Sequence, residues 1–199
     1  MNSLSQTHII LASQSPRRKE LLEQMGLELD IRPAHIDETI PDAFSPEEAV
    51  RYLAENKAAA LTRECPQAWV ISADTIVVLG NRILGKPRSR EHAVEMITAL
   101  AGQDHHVFTG FSVACAASNT VRTQVVDTRV RFKSLTPAQI QWYADTDEPY
   151  DKAGGYGIQG IGAFLVREIQ GSYSNVVGLP MCELMETLFD LNVIQMKDI

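Results

Sequence analysis

The chain is poor in cysteine, in long apolar runs and in net positive charge, and each shortage removes a class of protein. Its three cysteines, Cys65, Cys115 and Cys182, are odd in number and scattered. None falls in a Cys-x-x-Cys pair, so a disulfide frame and a zinc ribbon are both excluded, and reduced thiols in the cytoplasm are expected. The longest apolar stretches are strand-sized, well short of the about 20 residues a spanning helix requires. Met1 to His8 carries neither the basic nor the apolar region of a signal peptide, which again points to the cytoplasm. The formal net charge of −7 and pI of about 5.2 argue against a broad nucleic-acid-binding face. An anionic ligand would have to meet positive charge gathered locally. There is no repeat, low-complexity tract or linker. The 199 residues, 45% of them hydrophobic, suit one domain over 1–199.

What is present reads as interleaved strands and helices. A short strand, His8 to Ala12, precedes a turn and a helix with Ser15 as N-cap and Pro16 at its first position, stopping at Gly26. Leu27 to Ile36 reads as a second strand. Ser45-Pro-Glu-Glu48 is a capping box opening a helix to about Arg63. The run Trp69 to Leu79 is the most strand-like of the chain and turns at Gly80-Asn81 into a return strand, Arg82 to Leu84. Ser89 caps a helix ending at Gly102. Strands follow at Val107 to Ala116 and Arg122 to Phe132. Thr136-Pro-Ala-Gln139 is a second capping box. The glycine-dense loop Asp151 to Gly162 leads to a strand at Ala163 to Ile169, and a last helix follows Pro180. The interleaving predicts α/β layers, and the hairpins make the sheet mixed.

Asp74 sits in the middle of the Val- and Ile-rich run, where both faces should be buried and an unpartnered carboxylate would cost several kcal/mol. A bound cation, a basic partner or a catalytic task would each explain it. Arg17 and Arg18 fall in the first turn of a helix, where partial positive charge already accumulates. With Ser13 and Ser15 they make an anion pocket the better reading than two solvated cations. Lys57 projects from the apolar stripe Val50, Leu53, Ala54, Leu61; taken singly, it reads as a lysine whose stem packs while its amine reaches water. Lys86 in Gly85-Lys86-Pro87 lacks the glycine spacing of a Walker loop and reads as a turn lysine. Gly155-x-Gly157-x-x-Gly160 has the form of a dinucleotide fingerprint in the wrong context, loop before strand, and a Rossmann site is rejected. That loop still offers Lys152, Tyr156 and Gln159 as polar handles; a bulged bend at a sheet edge explains its glycines equally well. Asp37-Glu38 could supply a second carboxylate for a magnesium–phosphate site, or form a solvated turn. Serine-elbow and His-x-x-x-His zinc chemistries find no motif.

Taken together, Leu11-Ala-Ser-Gln-Ser-Pro-Arg-Arg18, Asp37-Glu38, Lys57, Ser72-Ala-Asp-Thr-Ile-Val77, Gly85-Lys-Pro87, Thr109-Gly110, Asp151-Lys-Ala-Gly-Gly-Tyr-Gly-Ile-Gln-Gly160 and Gly171 to Pro180 resemble the Maf family of nucleoside triphosphate pyrophosphatases. The resemblance runs in order over nearly the whole chain. It implies an α/β fold of the Maf and ITPase-like kind: a mixed, twisted sheet flanked by helices, with two lobes around a central cleft. The implied reaction is metal-dependent cleavage, with Mg²⁺ or Mn²⁺, between the α- and β-phosphates of a nucleoside triphosphate.

The same resemblance implies that Asp74 accepts the proton and joins Glu38 in holding the metal. Ser13, Arg18, Lys57, Lys86 and Lys152 would cradle the phosphates. Arg17, Thr75 and Gln159 stand where the family's subgroups differ, and resemble the dTTP/UTP subgroup; the 7-methyl-GTP subgroup tends to carry Trp, Gln and Glu. Ser72 stands where Gly is usual, and Gly155 where Ala is common. The resemblance implies a nucleotide substrate and suggests a homodimer; the acidic charge and short apolar runs argue against stable nucleic-acid or membrane binding. The rival readings are the same chemistry on modified or purine triphosphates and a non-catalytic, nucleotide-binding regulator of cell division.

Overall fold

The computed structural model describes residues 4–41 and 43–197. In chain order its elements are β1 (Leu4–Gln6), β2 (Ile9–Leu11), α1 (Pro16–Gln24), β3 (Asp30–Ile31), α2 (Pro46–Glu64), β4 (Trp69–Leu79), β5 (Arg82–Leu84), α3 (Arg90–Leu100), β6 (Asp104–Cys115), β7 (Thr120–Phe132) and α4 (Pro137–Ala144). Three 3-10 turns follow, Glu148–Asp151, Ala153–Gly155 and Gly160–Leu165, then β8 (Val166–Gln170), α5 (Tyr173–Val177), α6 (Met181–Asp190) and β9 (Ile194–Met196). One sheet has the order β3-β2-β4-β6-β7-β8, with β5 on β4; β1 and β9 form a separate pair. β2 runs parallel to β3 and β4, whereas β4–β5 and β7–β8 are antiparallel, giving the mixed sheet the sequence predicts. No helix among the described residues is long and apolar enough to cross a membrane.

Local chemistry sets the helix starts. The Ser15, Ser45, Ser89 and Thr136 side chains each accept a first-turn backbone N–H, and the predicted capping boxes close at Ser45/Glu48 and Thr136/Gln139. Gly26 and Gly102, with φ of 79° and 73°, take the left-handed conformation that ends α1 and α3.

The chain divides into two compact units, and β4 passes from one to the other between Asp74 and Thr75. The first comprises the chain up to Asp74, Thr109–Val126 and the segment from Gly178 onward. One core cluster of this unit joins Leu11, Ile71 and Phe111 to Leu22 of α1 and Leu184 and Leu188 of α6. Another joins Ile10, Val70 and Ala114 to Ala58 and Leu61 of α2. Helix α2 lies so close to β6 that a Cβ on Gly110 would come within 2.5 Å of the Val50 carbonyl oxygen.

The second unit comprises Thr75–Phe108 and Asp127–Val177. Its core packs Ile97 and Leu100 of α3 and Ile140 and Tyr143 of α4 against Val77, Val107, Val130, Phe132 and Leu165. His105 is fully buried there, its Nε2 2.7 Å from the Tyr156 hydroxyl. Burial, and after it the neighbouring His106 charge, pulls its pKa from 6.5 down to about 4. The folded chain therefore keeps this ring neutral where the unfolded chain protonates it, so stability should fall as pH drops from about 6.5 to about 4. The expected loss is on the order of 3 kcal/mol. Denaturant titrations at pH 7 and pH 4.5 check it: the wild-type difference should shrink in His105→Phe, and an unchanged difference would assign the acid sensitivity elsewhere.

Two predicted strands are corrected. Leu27–Ile36 yields only Asp30–Ile31, because its partner among the described residues, β2, has three residues and Pro33, just beyond the Arg32 N–H to Leu11 carbonyl bond of 3.1 Å, has no donor. The strand expected from Ala163 begins at Val166, since the Glu148 carboxylate takes the N–H groups of Ile161 and Gly162 and winds that stretch into a 3-10 turn. β1, β9 and the short α5 were not foreseen.

Candidate active site

The first unit brings five of the expected side chains into one hydrogen-bonded and charged group. Ser72 and Asp74 lie two apart on β4 and so share a face; Ala54 and Lys57 lie three apart on α2 and share a helix face. The buried Ser72 Oγ donates to the Ala54 carbonyl at 2.6 Å, which sets helix against strand. One step further along both elements, Lys57 Nζ lies 2.6 Å from Asp74 Oδ1 and 2.7 Å from Glu38 Oε1. The lysine is thus not a snorkelling side chain. It is 8% exposed, and it bridges two carboxylates. For Asp74, Lys57 is the basic partner that is one of the expected explanations, and the side chain keeps 16% of its surface where full burial is expected.

Glu38 reaches the group from a shaped turn. Asp37 Oδ1 accepts from the Thr39 N–H at 2.9 Å and its hydroxyl at 2.6 Å, and these bonds hold the Asp37 carboxyl below its usual pKa. The Glu38 side chain remains 61% exposed.

Arg18 adds a second cation to the group. Its Nε donates to the Gly178 carbonyl at 2.8 Å, and Nη1 donates to the Ala73 carbonyl at 2.9 Å and to Ser13 Oγ at 3.2 Å. Burial lowers its pKa while the Asp74 charge raises it, so the guanidinium and the carboxylate feel one another. Three of its donors are therefore committed to holding α1, β4 and the Gly178 turn together. Ser13 is buried and accepts the Ser15 N–H at 3.2 Å; Arg17, next to Arg18 on α1, is half-exposed.

Thr75, Lys86, Lys152 and Gln159 belong to the second unit. The Gly85-Lys86-Pro87 turn is held to the glycine loop, because Gly154 N–H donates to the Gly85 carbonyl at 3.0 Å and a Cβ on Gly155 would meet Pro87 Cγ at 3.0 Å. Gly154 and Gly155 both have φ of 70°, the left-handed conformation that favours glycine. Lys86 is exposed; Lys152 Nζ donates to the Glu148 carbonyl at 2.7 Å and to Asp151 Oδ1 at 2.5 Å. Thr75 and Gln159 are half-buried.

Among the described residues no three His, Cys, Asp or Glu side chains cluster as a metal cage. Two carboxylates converging on one ammonium nevertheless fit a hard divalent ion of the Mg²⁺ kind, which takes one or two protein carboxylates and completes its shell with water and phosphate. A thiolate- or imidazole-seeking metal finds no such set.

Sequence reasoning missed two supporting residues. Ser72 had a signal, its place one strand period before Asp74. Glu148 had none, since most of its partners are backbone amides.

The fold and this charged group define a class of α/β proteins, and comparison with known proteins specifies it. The family described as Maf-like protein matches residues 8–191. A protein named dTTP/UTP pyrophosphatase from Desulfotalea psychrophila is 50% identical over 186 residues, covering 94% of this chain and 95% of that one. Its namesake from Syntrophus aciditrophicus is 48% identical over 183 residues, 92% of this chain and 89% of the other. A third of that name, from Myxococcus xanthus, is 47% identical and covers 92% of each. The chain belongs to the Maf family. The solved structure of the Staphylococcus aureus Ham1 protein superposes with a TM-score of 0.50 at 13% identity, over 94% of this chain and all of that one. That likeness concerns the fold alone, and agrees with the α/β architecture implied by the sequence.

Proposed function

We propose that this chain is a nucleoside triphosphate pyrophosphatase that hydrolyses dTTP and UTP to the monophosphate and pyrophosphate. The observation that carries the reading is the Lys57 ammonium held by both Asp74 and Glu38 beside Arg18. Mere phosphate binding needs no carboxylates there, whereas hydrolysis needs a base. Relatives named dTTP/UTP pyrophosphatase at 47–50% identity support the substrate.

In the proposed reaction a water attacks phosphorus, the α–β bridging P–O bond breaks, and pyrophosphate leaves with the bond's electron pair. Asp74 accepts the water's proton. Lys57 holds Oδ1 of that carboxylate, so the proton is assigned to Oδ2. A triphosphate carries about four negative charges, and its transfer is catalysed mainly by positioning and charge stabilisation. Lys57, Lys86, Lys152 and Arg18 are assigned to that task, with Ser13 as a further donor. A divalent ion, when bound by Asp74 and Glu38, would add positive charge at the phosphate oxygens. Arg17, Thr75 and Gln159 are assigned to base selection, the Gln159 amide pairing with the pyrimidine edge.

Pyrophosphate release should be measured across dTTP, UTP, CTP, dATP, GTP and 7-methyl-GTP, with EDTA controls. dTTP and UTP should lead and EDTA should abolish release. A purine or 7-methyl-GTP maximum would move the chain to another substrate, and no release from any triphosphate would leave a nucleotide-binding regulator. The combined Arg17→Trp, Thr75→Gln and Gln159→Glu variant should shift preference from dTTP towards 7-methyl-GTP by at least about tenfold. An unchanged order would remove these three from base selection.

A further inference from the structure

Glu148 takes part in none of the assigned chemistry, yet the glycine loop is organised around it. Its Oε2 accepts the Ile161 N–H at 2.8 Å; its Oε1 accepts the Gly162 N–H at 2.7 Å and the Tyr143 hydroxyl at 3.1 Å. Tyr143 in turn accepts the Gly157 N–H at 3.4 Å. Burial, and after it the Glu148 charge, push the Tyr143 phenol well above its ordinary pKa, so it stays a donor. The backbone carbonyl of Glu148 holds Lys152 Nζ at 2.7 Å.

The chain around these bonds is drawn into a closed ring. A Cβ on Gly162 would lie 2.2 Å from the Gly157 carbonyl oxygen, a Cβ on Gly160 2.7 Å from Glu148 Oε2, and a Cβ on Gly157 2.7 Å from Lys152 Cε. Residues 157 and 162 are therefore in contact, and Gln159 rides the turn between them in extended backbone, φ −88° and ψ 161°, at the start of the 3-10 turn. One carboxylate accepting two successive N–H groups and a phenol is a strong, directional clamp. Without it, nothing in that list of bonds would fix residues 160–162 relative to residue 148.

We infer that Glu148 is a positioning residue for substrate selection: it fixes the turn that carries Gln159, and with it the aim of the Gln159 amide at the base. The inference rests on the assignment of Gln159 to base selection. Preorganised binding groups lose most of their discrimination when displaced by an ångström, and that loss falls on substrate preference before fold.

The test substitutes Glu148→Gln, which keeps the shape but has one acceptor oxygen where three donors converge. kcat and KM for dTTP, UTP and GTP are measured in the wild type, Glu148→Gln, Gln159→Ala and the double variant, alongside amide hydrogen exchange at residues 157–162. Glu148→Gln should speed exchange there and cut the dTTP-over-GTP ratio of kcat/KM by roughly tenfold, mainly through KM for dTTP. The double variant should be no worse than Gln159→Ala alone. Should Glu148→Gln fail to fold, Tyr143→Phe, which removes one clamp donor, should lower the ratio in the same direction. If Gln159→Ala lowers the ratio but neither clamp variant does, the inference is wrong and base selection by Gln159 stands. If Gln159→Ala leaves the ratio unchanged, base selection by Gln159 fails and the inference falls with it.

Discussion

Asp74→Asn is expected to lower turnover of dTTP by roughly a thousandfold, the range in which loss of a general base falls. The amide has nearly the shape of the carboxylate and still offers Lys57 an oxygen, and Lys57 keeps Glu38 at 2.7 Å. The backbone at this point is held by neighbours that the change leaves alone: Ser72 on Ala54 and the Ala73 carbonyl on Arg18. Melting temperature should therefore stay within a few degrees of the wild type. Steady-state pyrophosphate release and a thermal melt on one preparation decide it. Near-normal hydrolysis would show that another group takes the proton; a collapsed melting curve would show that Asp74 serves the fold.

Lys57→Met should injure both catalysis and stability. Removing one donor from a site that stabilises developing charge lowers activity by about 10²- to 10³-fold. The stability effect follows from burial: the Lys57 and Asp74 side chains are only 11% and 16% exposed, so methionine leaves Asp74 with no ammonium beside it. Removing one member of a fully buried ion pair costs about 3–5 kcal/mol; the open access of Glu38 and partial exposure of Asp74 reduce that here to about 1–2 kcal/mol. Melting should fall by roughly 3–8 °C. The double variant Lys57→Met with Asp74→Asn should recover most of that stability and none of the activity, because the stranded charge goes with the lysine. Equal melting of the single and double variants would mean that the pair contributes nothing to the fold.

The parts of the structure legible in the sequence are those decided by neighbours a few residues away. Ser15, Ser45, Ser89 and Thr136 announce their helices because capping is chemistry within one turn. β4 and the Gly80-Asn81 turn into β5 are likewise local. The extent of β3 depends on how much of β2 lies opposite, and the start of β8 on Glu148, whose carboxylate captures the Ile161 and Gly162 amides 13 and 14 residues downstream and winds the chain ahead of the strand into a 3-10 turn. The site divides the same way. Asp74 stood out because a carboxylate in an apolar strand is anomalous on its own. Lys57 did not, since a lysine in an apolar helix stripe packs and snorkels unless a partner waits, and its partner lies on a strand 17 residues away. Resemblance to the Maf family supplied what spacing could not.

The most direct measurement is product analysis from dTTP by ion exchange, with the wild type and Asp74→Asn run in parallel and a divalent ion present. The wild type should yield dTMP and pyrophosphate in equal amounts, and the variant almost neither. Formation of dTDP with inorganic phosphate, or equal pyrophosphate release by both proteins, would contradict a pyrophosphatase centred on Asp74 and Lys57.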